Sequence, residues 1–111
     1  MDQTLEEVAE TAEQVAADQR EVARQARQLD RDRDRGLSWG QALDRQEPPG
    51  LLARLRTGRR QLGDALTRLS QVLAHGLAAE GESRRAIARR IGVTHQRVTA
   101  LLNRSVSSSA E

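Results

Sequence analysis

The chain has 111 residues, 37% of them apolar, with one Trp and neither Phe nor Tyr, so Leu, Val, Ile and Ala must build its interior. That inventory favours thin helical packing over a large sheet and suits one modest domain with an extension. With no Cys, a disulfide framework, a thiolate nucleophile and zinc–thiolate sites are excluded, and two His twenty positions apart, His75 and His95, are a poor basis for a metal site.

The net charge of +2 conceals an uneven distribution. Residues 1–19 carry six acids and no base, whereas residues 83–104 carry six Arg and no acid. A basic module of that kind is the electrostatic footprint that a polyanion such as DNA recognises. No run approaches the roughly twenty apolar residues of a membrane span, and the acidic N-terminus lacks the features of a signal peptide. The expected location is cytoplasmic, in association with the nucleoid, with no membrane contact.

From Leu5 to Leu29 the apolar residues Leu5, Val8, Ala12, Val15, Val22, Ala26 and Leu29 keep spacings of three and four, interrupted only at Gln19. This heptad seam predicts a long amphipathic helix over residues 1–35, stopped near Gly36, which at about 1.5 Å per residue reaches about 45 Å over thirty residues. Acids lead along it and Arg follow, which complements the helix dipole and suits an antiparallel copy or partner. The seam is thus a candidate for dimerisation or for a helical protein partner in a coiled-coil-like pairing. Folding onto the chain's own leucine-rich helix is the alternative.

Residues 36–50 read as a short helix and a linker. Ser38 is placed to cap a helix running to about Leu43, and Glu47-Pro48-Pro49-Gly50 ends it. Trp39 is expected to be a hydrophobic peg at the joint between rod and body. Beyond the Pro pair, Leu51, Leu52, Leu55, Leu62, Leu66, Leu69, Leu73 and Leu77 mark another helix. Its interior glycines predict a division near Gly58, fraying after Gly76 and close approach of another helix at Gly63.

Residues 83–104 read S-R-R-A-I-A-R-R-I-G-V-T-H-Q-R-V-T-A-L-L-N-R. Ser83 can cap a first helix with Ile87, Ala88 and Ile91 inward, and Gly92 suits a left-handed inter-helix turn that Val93 anchors in the core. Thr94 can cap a second helix that buries Val98, Leu101 and Leu102. The small residue at 88, the Gly four positions on and the apolar residues ten and thirteen on have the spacing of a helix-turn-helix. In that geometry Thr94, His95, Gln96, Arg97 and Ala100 lead the surface that meets base edges in the major groove. Ser83, Arg84, Arg85, Arg89, Arg90 and Arg104 are candidates for phosphate contacts.

This stretch resembles the helix-turn-helix of bacterial transcriptional regulators. More loosely, residues 33–104 are similar to a group of small actinobacterial helix-turn-helix proteins in which a G-x-S-W segment and a leucine-rich helix precede a basic motif ending in R-V-x-x-L-L. Gly36, Ser38 and Trp39, then Arg97, Val98, Leu101 and Leu102, carry that likeness, and the first 32 residues lie outside it. The resemblance implies DNA binding without naming an operator.

The sequence thus predicts an all-α chain: a long N-terminal amphipathic helix followed by a trihelical helix-turn-helix core within residues 51–104, with 105–111 as a frayed tail. Double-stranded DNA is the expected partner, bound by a homodimer because one such module buries little DNA surface. No cofactor is expected. An enzyme is not expected either, since no phosphate loop or nucleophile–base set is legible and Ser83 beside Glu82 is better explained as a cap.

Overall fold

The computed structural model describes residues 3–104, and among these the chain is all-helical with no strand. Five helices follow in order: α1 (Gln3–Asp34), α2 (Trp39–Asp44), α3 (Leu51–Ala79), α4 (Arg84–Ile91) and α5 (His95–Asn103). The expected frayed tail, 105–111, lies outside the described residues. α1 stops where expected: Gly36 turns left-handed at φ 92°, its N–H donates to the Arg33 carbonyl at 3.0 Å, and Leu37 N–H donates to the Asp32 carbonyl at 3.1 Å. This Schellman arrangement satisfies carbonyls that the helix end would otherwise orphan. α3 closes in the same way through Gly81. α2 opens with a capping box in which the Ser38 hydroxyl accepts from Gln41 N–H and the Gln41 side chain accepts from Ser38 N–H.

The contacts divide the chain into two compact units. In the unit formed by residues 9–63, α1 and the first part of α3 run antiparallel. Asp18 approaches Arg54 at 3.9 Å, and one turn further along, Val15 meets α3 at Gly58. Gly58 is buried, and a Cβ built there would stand 3.1 Å from Gln19 Nε2 and 3.6 Å from Val15 Cγ1. Close helix approach therefore occurs at Gly58 and not at Gly63, where no atom lies within 4 Å of a built Cβ. Nor does the helix divide at Gly58: α3 runs unbroken through all three of its glycines. Packing against α1 offsets the propensity cost of the glycine that it needs.

The buried face of α1 is more polar than the seam predicts. Val15 and Val22 are buried, but so are Gln25 and Asp32, while Ala12 and Ala26 are exposed and Leu29 is half-buried. The Gln25 side chain donates to the Glu47 backbone carbonyl at 3.2 Å, and the Gln25 backbone carbonyl accepts from the Gln46 side chain at 2.9 Å. These bonds moor the Pro-rich linker to α1. Asp32 accepts from Gln28 at 2.9 Å and faces Arg45 Nε at 3.2 Å. Trp39 is not a buried peg. It is 60% exposed, with the Arg33 guanidinium stacked 4.4 Å above its ring centre. Ala42 is the fully buried residue of α2.

The other unit comprises residues 1–8 and 64–111. Glu7 pairs with Arg68 there, Leu5 is exposed and Val8 half-buried. Its core is Ala74 of α3, Ile87 of α4, and Val98 and Leu101 of α5, bordered by Leu77, Ala78, Ala88, Ile91, Val93 and Leu102. Three helices thus share one small apolar centre, the trihelical helix-turn-helix arrangement.

Candidate nucleic-acid interface

The geometry of the surface follows from three local devices. Ser83 Oγ accepts from Ala86 N–H at 3.1 Å and starts α4. Gly92 ends it at φ 74°, ψ 34°, a left-handed conformation that costs a residue with a Cβ about 1–2 kcal/mol. Thr94 Oγ1 accepts from Arg97 N–H at 3.0 Å and starts α5 two residues later. The turn is therefore short, and with Ile87, Val98 and Leu101 turned inward the remaining faces of both helices meet solvent.

Thr94, His95, Gln96, Arg97 and Ala100 are all exposed. Thr94 caps α5, His95 to Arg97 open its first turn, and Ala100 lies about one turn further on. Thr99, beside them, is half-buried: its hydroxyl donates to the His95 carbonyl and accepts from Arg84, both at 3.3 Å. Arg84 thereby tethers α4 to α5 on the outer side of the turn.

The basic residues are less uniform than their sequence suggests. Arg90 Nε donates to Glu82 Oε1 and its second nitrogen lies beside Oε2, each at 3.0 Å. That hydrogen bond and its charge push the Arg90 pKa up. Glu82 stands one residue outside the acid-free stretch, so the patch carries a compensating acid that residues 83–104 alone do not reveal. Arg85, Arg89, Arg97 and Arg104 are exposed and make no ion pair among the described residues. Ser83 keeps its hydroxyl proton for a further acceptor, because the cap uses only its oxygen.

His75 is a residue that sequence reasoning missed. Its Nε2 lies 3.1 Å from the Leu101 carbonyl and 2.7 Å from that of Arg104. Both partners are acceptors, so Nε2 carries the proton and donates. α3 thus holds the C-terminal end of α5 directly, beside the Ala74 contact that supports its middle. The available signal was its position next to Ala74 on the supporting helix.

No group of three His, Asp or Glu among the described residues could hold a metal ion, and no described helix is long and apolar enough to cross a membrane. No protein-family model matches the chain, and neither the curated proteins nor the solved structures contain a significant match.

Proposed function

We propose that the chain binds double-stranded DNA sequence-specifically through α4 and α5 and acts as a transcriptional regulator, associated with the nucleoid. One observation carries this reading. The leading end of a capped, rigidly supported helix presents Thr94, His95, Gln96, Arg97 and Ala100 to solvent, flanked by arginines without counter-charge. In the major groove, Gln96 suits bidentate pairing with adenine and Arg97 with guanine, while the Ala100 methyl suits contact with a thymine methyl. Arg85 and Arg89 on α4, with Arg104 beyond α5, would neutralise phosphates and set the register. The likeness of residues 33–104 to small actinobacterial helix-turn-helix proteins adds support.

Selection of duplexes from a random pool by the full chain, followed by salt titration on the enriched site, tests the proposal. Three phosphate contacts per motif, from Arg85, Arg89 and Arg104, would give log K against log salt a slope of about −2.7 for each motif bound. Affinity for the best duplex no higher than that of a helix of similar charge refutes it.

A further inference from the structure

α1, the start of α2 and the start of α3 enclose a cleft of about 400 Å³, lined by Ala26, Leu29, Asp30, Arg33, Trp39 and Leu51. All six residues belong to the compact unit 9–63, and none belongs to the proposed DNA surface. The volume falls within the roughly 300–1,000 Å³ of small-molecule sites, and the lining has their usual make-up, apolar with a few polar groups. Ala26, Leu29, Trp39 and Leu51 supply the apolar wall. The indole is 60% exposed even with a guanidinium over its ring, so apolar ligand surface can still cover it.

The two charges of the lining do not neutralise each other. Arg33 stands 4.4 Å above the Trp39 ring centre and donates through Nη1 to the Leu37 carbonyl at 2.8 Å. Stacking uses the face of the guanidinium and the carbonyl takes one N–H, so the other donors on its edge stay available in the plane. Asp30 is exposed and makes no ion pair among the described residues. Arg27 and Arg33 each lie three positions from it along α1, where helical neighbours can meet, yet neither pairs with it. The arginine of the cleft is committed to the indole and the Leu37 carbonyl, which leaves a carboxylate at the rim without a counter-charge.

These groups select the ligand. A simple cation would suit Asp30 but meet Arg33, and a simple anion would do the reverse. A wholly apolar molecule would draw both charges out of water without pairing either, which is costly. An ammonium and a carboxylate on one carbon answer both, because side chains three apart on a helix stand about 5–6 Å apart at Cβ. We propose that the cleft binds a free α-amino acid with an apolar side chain. Its ammonium pairs with Asp30, its carboxylate takes the edge of Arg33, and its side chain lies against Leu29, Trp39 and Leu51.

Trp39 is the one Trp of a chain without Tyr, so its emission reports on this cleft alone. The full chain is titrated with L-leucine, L-isoleucine and L-phenylalanine. A saturable blue shift with at least one of them supports the proposal; no saturable change with any of the three up to about 10 mM overturns it. For the amino acid that binds, the N-acetyl derivative and the amide each remove one charge without altering the protein. Each should bind at least about tenfold more weakly than its parent, the scale of one lost charged hydrogen bond. Asp30→Asn and Arg33→Gln, with helicity unchanged, should weaken the parent amino acid by a similar factor. A derivative that binds as tightly as its parent, or a variant that binds as tightly as the wild type, overturns the proposal, since one of the two charges is then unused. No DNA is present, so these outcomes are independent of duplex selection and of the function proposed above.

Discussion

The turn between α4 and α5 can be tested by a pair of glycine substitutions of opposite sign within one compact unit. Gly92 has φ 74° and Gly76 lies inside α3, yet no atom stands within 4 Å of a Cβ built at either. Steric clash is therefore removed from both, and backbone conformation decides the outcome. Gly76→Ala should stabilise by about 0.8–1 kcal/mol, the helix-propensity difference. Gly92→Ala meets the left-handed penalty of about 1–2 kcal/mol, partly offset by roughly 0.5 kcal/mol from a more restricted unfolded chain. The net loss is about 0.5–1.5 kcal/mol. For a domain of this size the melting temperature should rise by about 3–8 °C in the first variant and fall by about 2–12 °C in the second. Gly92→Asn should lie between Gly92→Ala and the parent, since Asn tolerates this conformation better. Thermal unfolding followed by far-ultraviolet circular dichroism measures all three. A neutral or stabilising Gly92→Ala beside a stabilising Gly76→Ala would refute the left-handed turn, and with it the crossing of α4 and α5.

Gln96→Ala and Arg97→Ala should each weaken binding to the selected duplex by about 1–3 kcal/mol while leaving melting within about 0.5 kcal/mol of the parent; equal weakening on scrambled DNA would assign these residues to phosphate instead. Glu82→Gln releases Arg90 from its counter-charge, so DNA affinity should rise and the salt slope should steepen by about 0.9 per motif. An unchanged slope would mean that Arg90 does not reach phosphate. His75→Ala removes the donor shared by the Leu101 and Arg104 carbonyls and should cost about 1–2 kcal/mol. Amide exchange near residues 101–104 should accelerate ahead of global unfolding, and uniform acceleration across the unit would argue against a local clasp.

The devices that were legible in the sequence are those decided within a few residues. Ser38, Ser83 and Thr94 cap helices because their oxygens reach an N–H three residues on, and Gly92 turns left-handed because the chain must reverse within the turn. Ile87, Val98 and Leu101 could be assigned inward from periodicity alone. What depends on a second element was not legible. Gly58 and Gly63 carry the same local signal, and the path of α1 decides which one is covered. Glu82 reads as a linker residue until the turn before α4 brings it onto Arg90. The leucines of residues 51–77 mark a helix without saying which side α1 covers: that side takes Gly58, while Leu52, Leu55 and Leu62 stay exposed. The five residues chosen for base contact were legible as the outward positions of α5, and the structure leaves all five exposed.

The α1 seam raises a last question, why a helix with heptad spacing buries an Asp. Asp32 is 1% exposed, whereas the Arg45 side chain that it faces is 53% exposed. The two partners therefore differ in what each leaves behind when the other is removed. Without Asp32, Arg45 remains a solvated cation, and Asp32→Asn keeps the volume and an acceptor for Gln28. Without Arg45, a buried carboxylate retains Gln28 as its remaining side-chain donor, and one of its oxygens already lacks an aligned hydrogen bond. A fully buried pair broken this way costs about 3–5 kcal/mol; with Arg45 half in water, about 1–2 kcal/mol is expected for Arg45→Ala. Asp32→Asn should cost less than Arg45→Ala, and urea denaturation of both variants measures the difference. A reversed order would mean that the carboxylate is stabilised by its surroundings rather than by Arg45. If the order holds, the pair acts to fix register: it sets the end of α2 against the last turns of α1, where leucine in place of Asp32 would permit neighbouring alignments. The same alignment that buries Asp32 leaves Trp39 in solvent under Arg33.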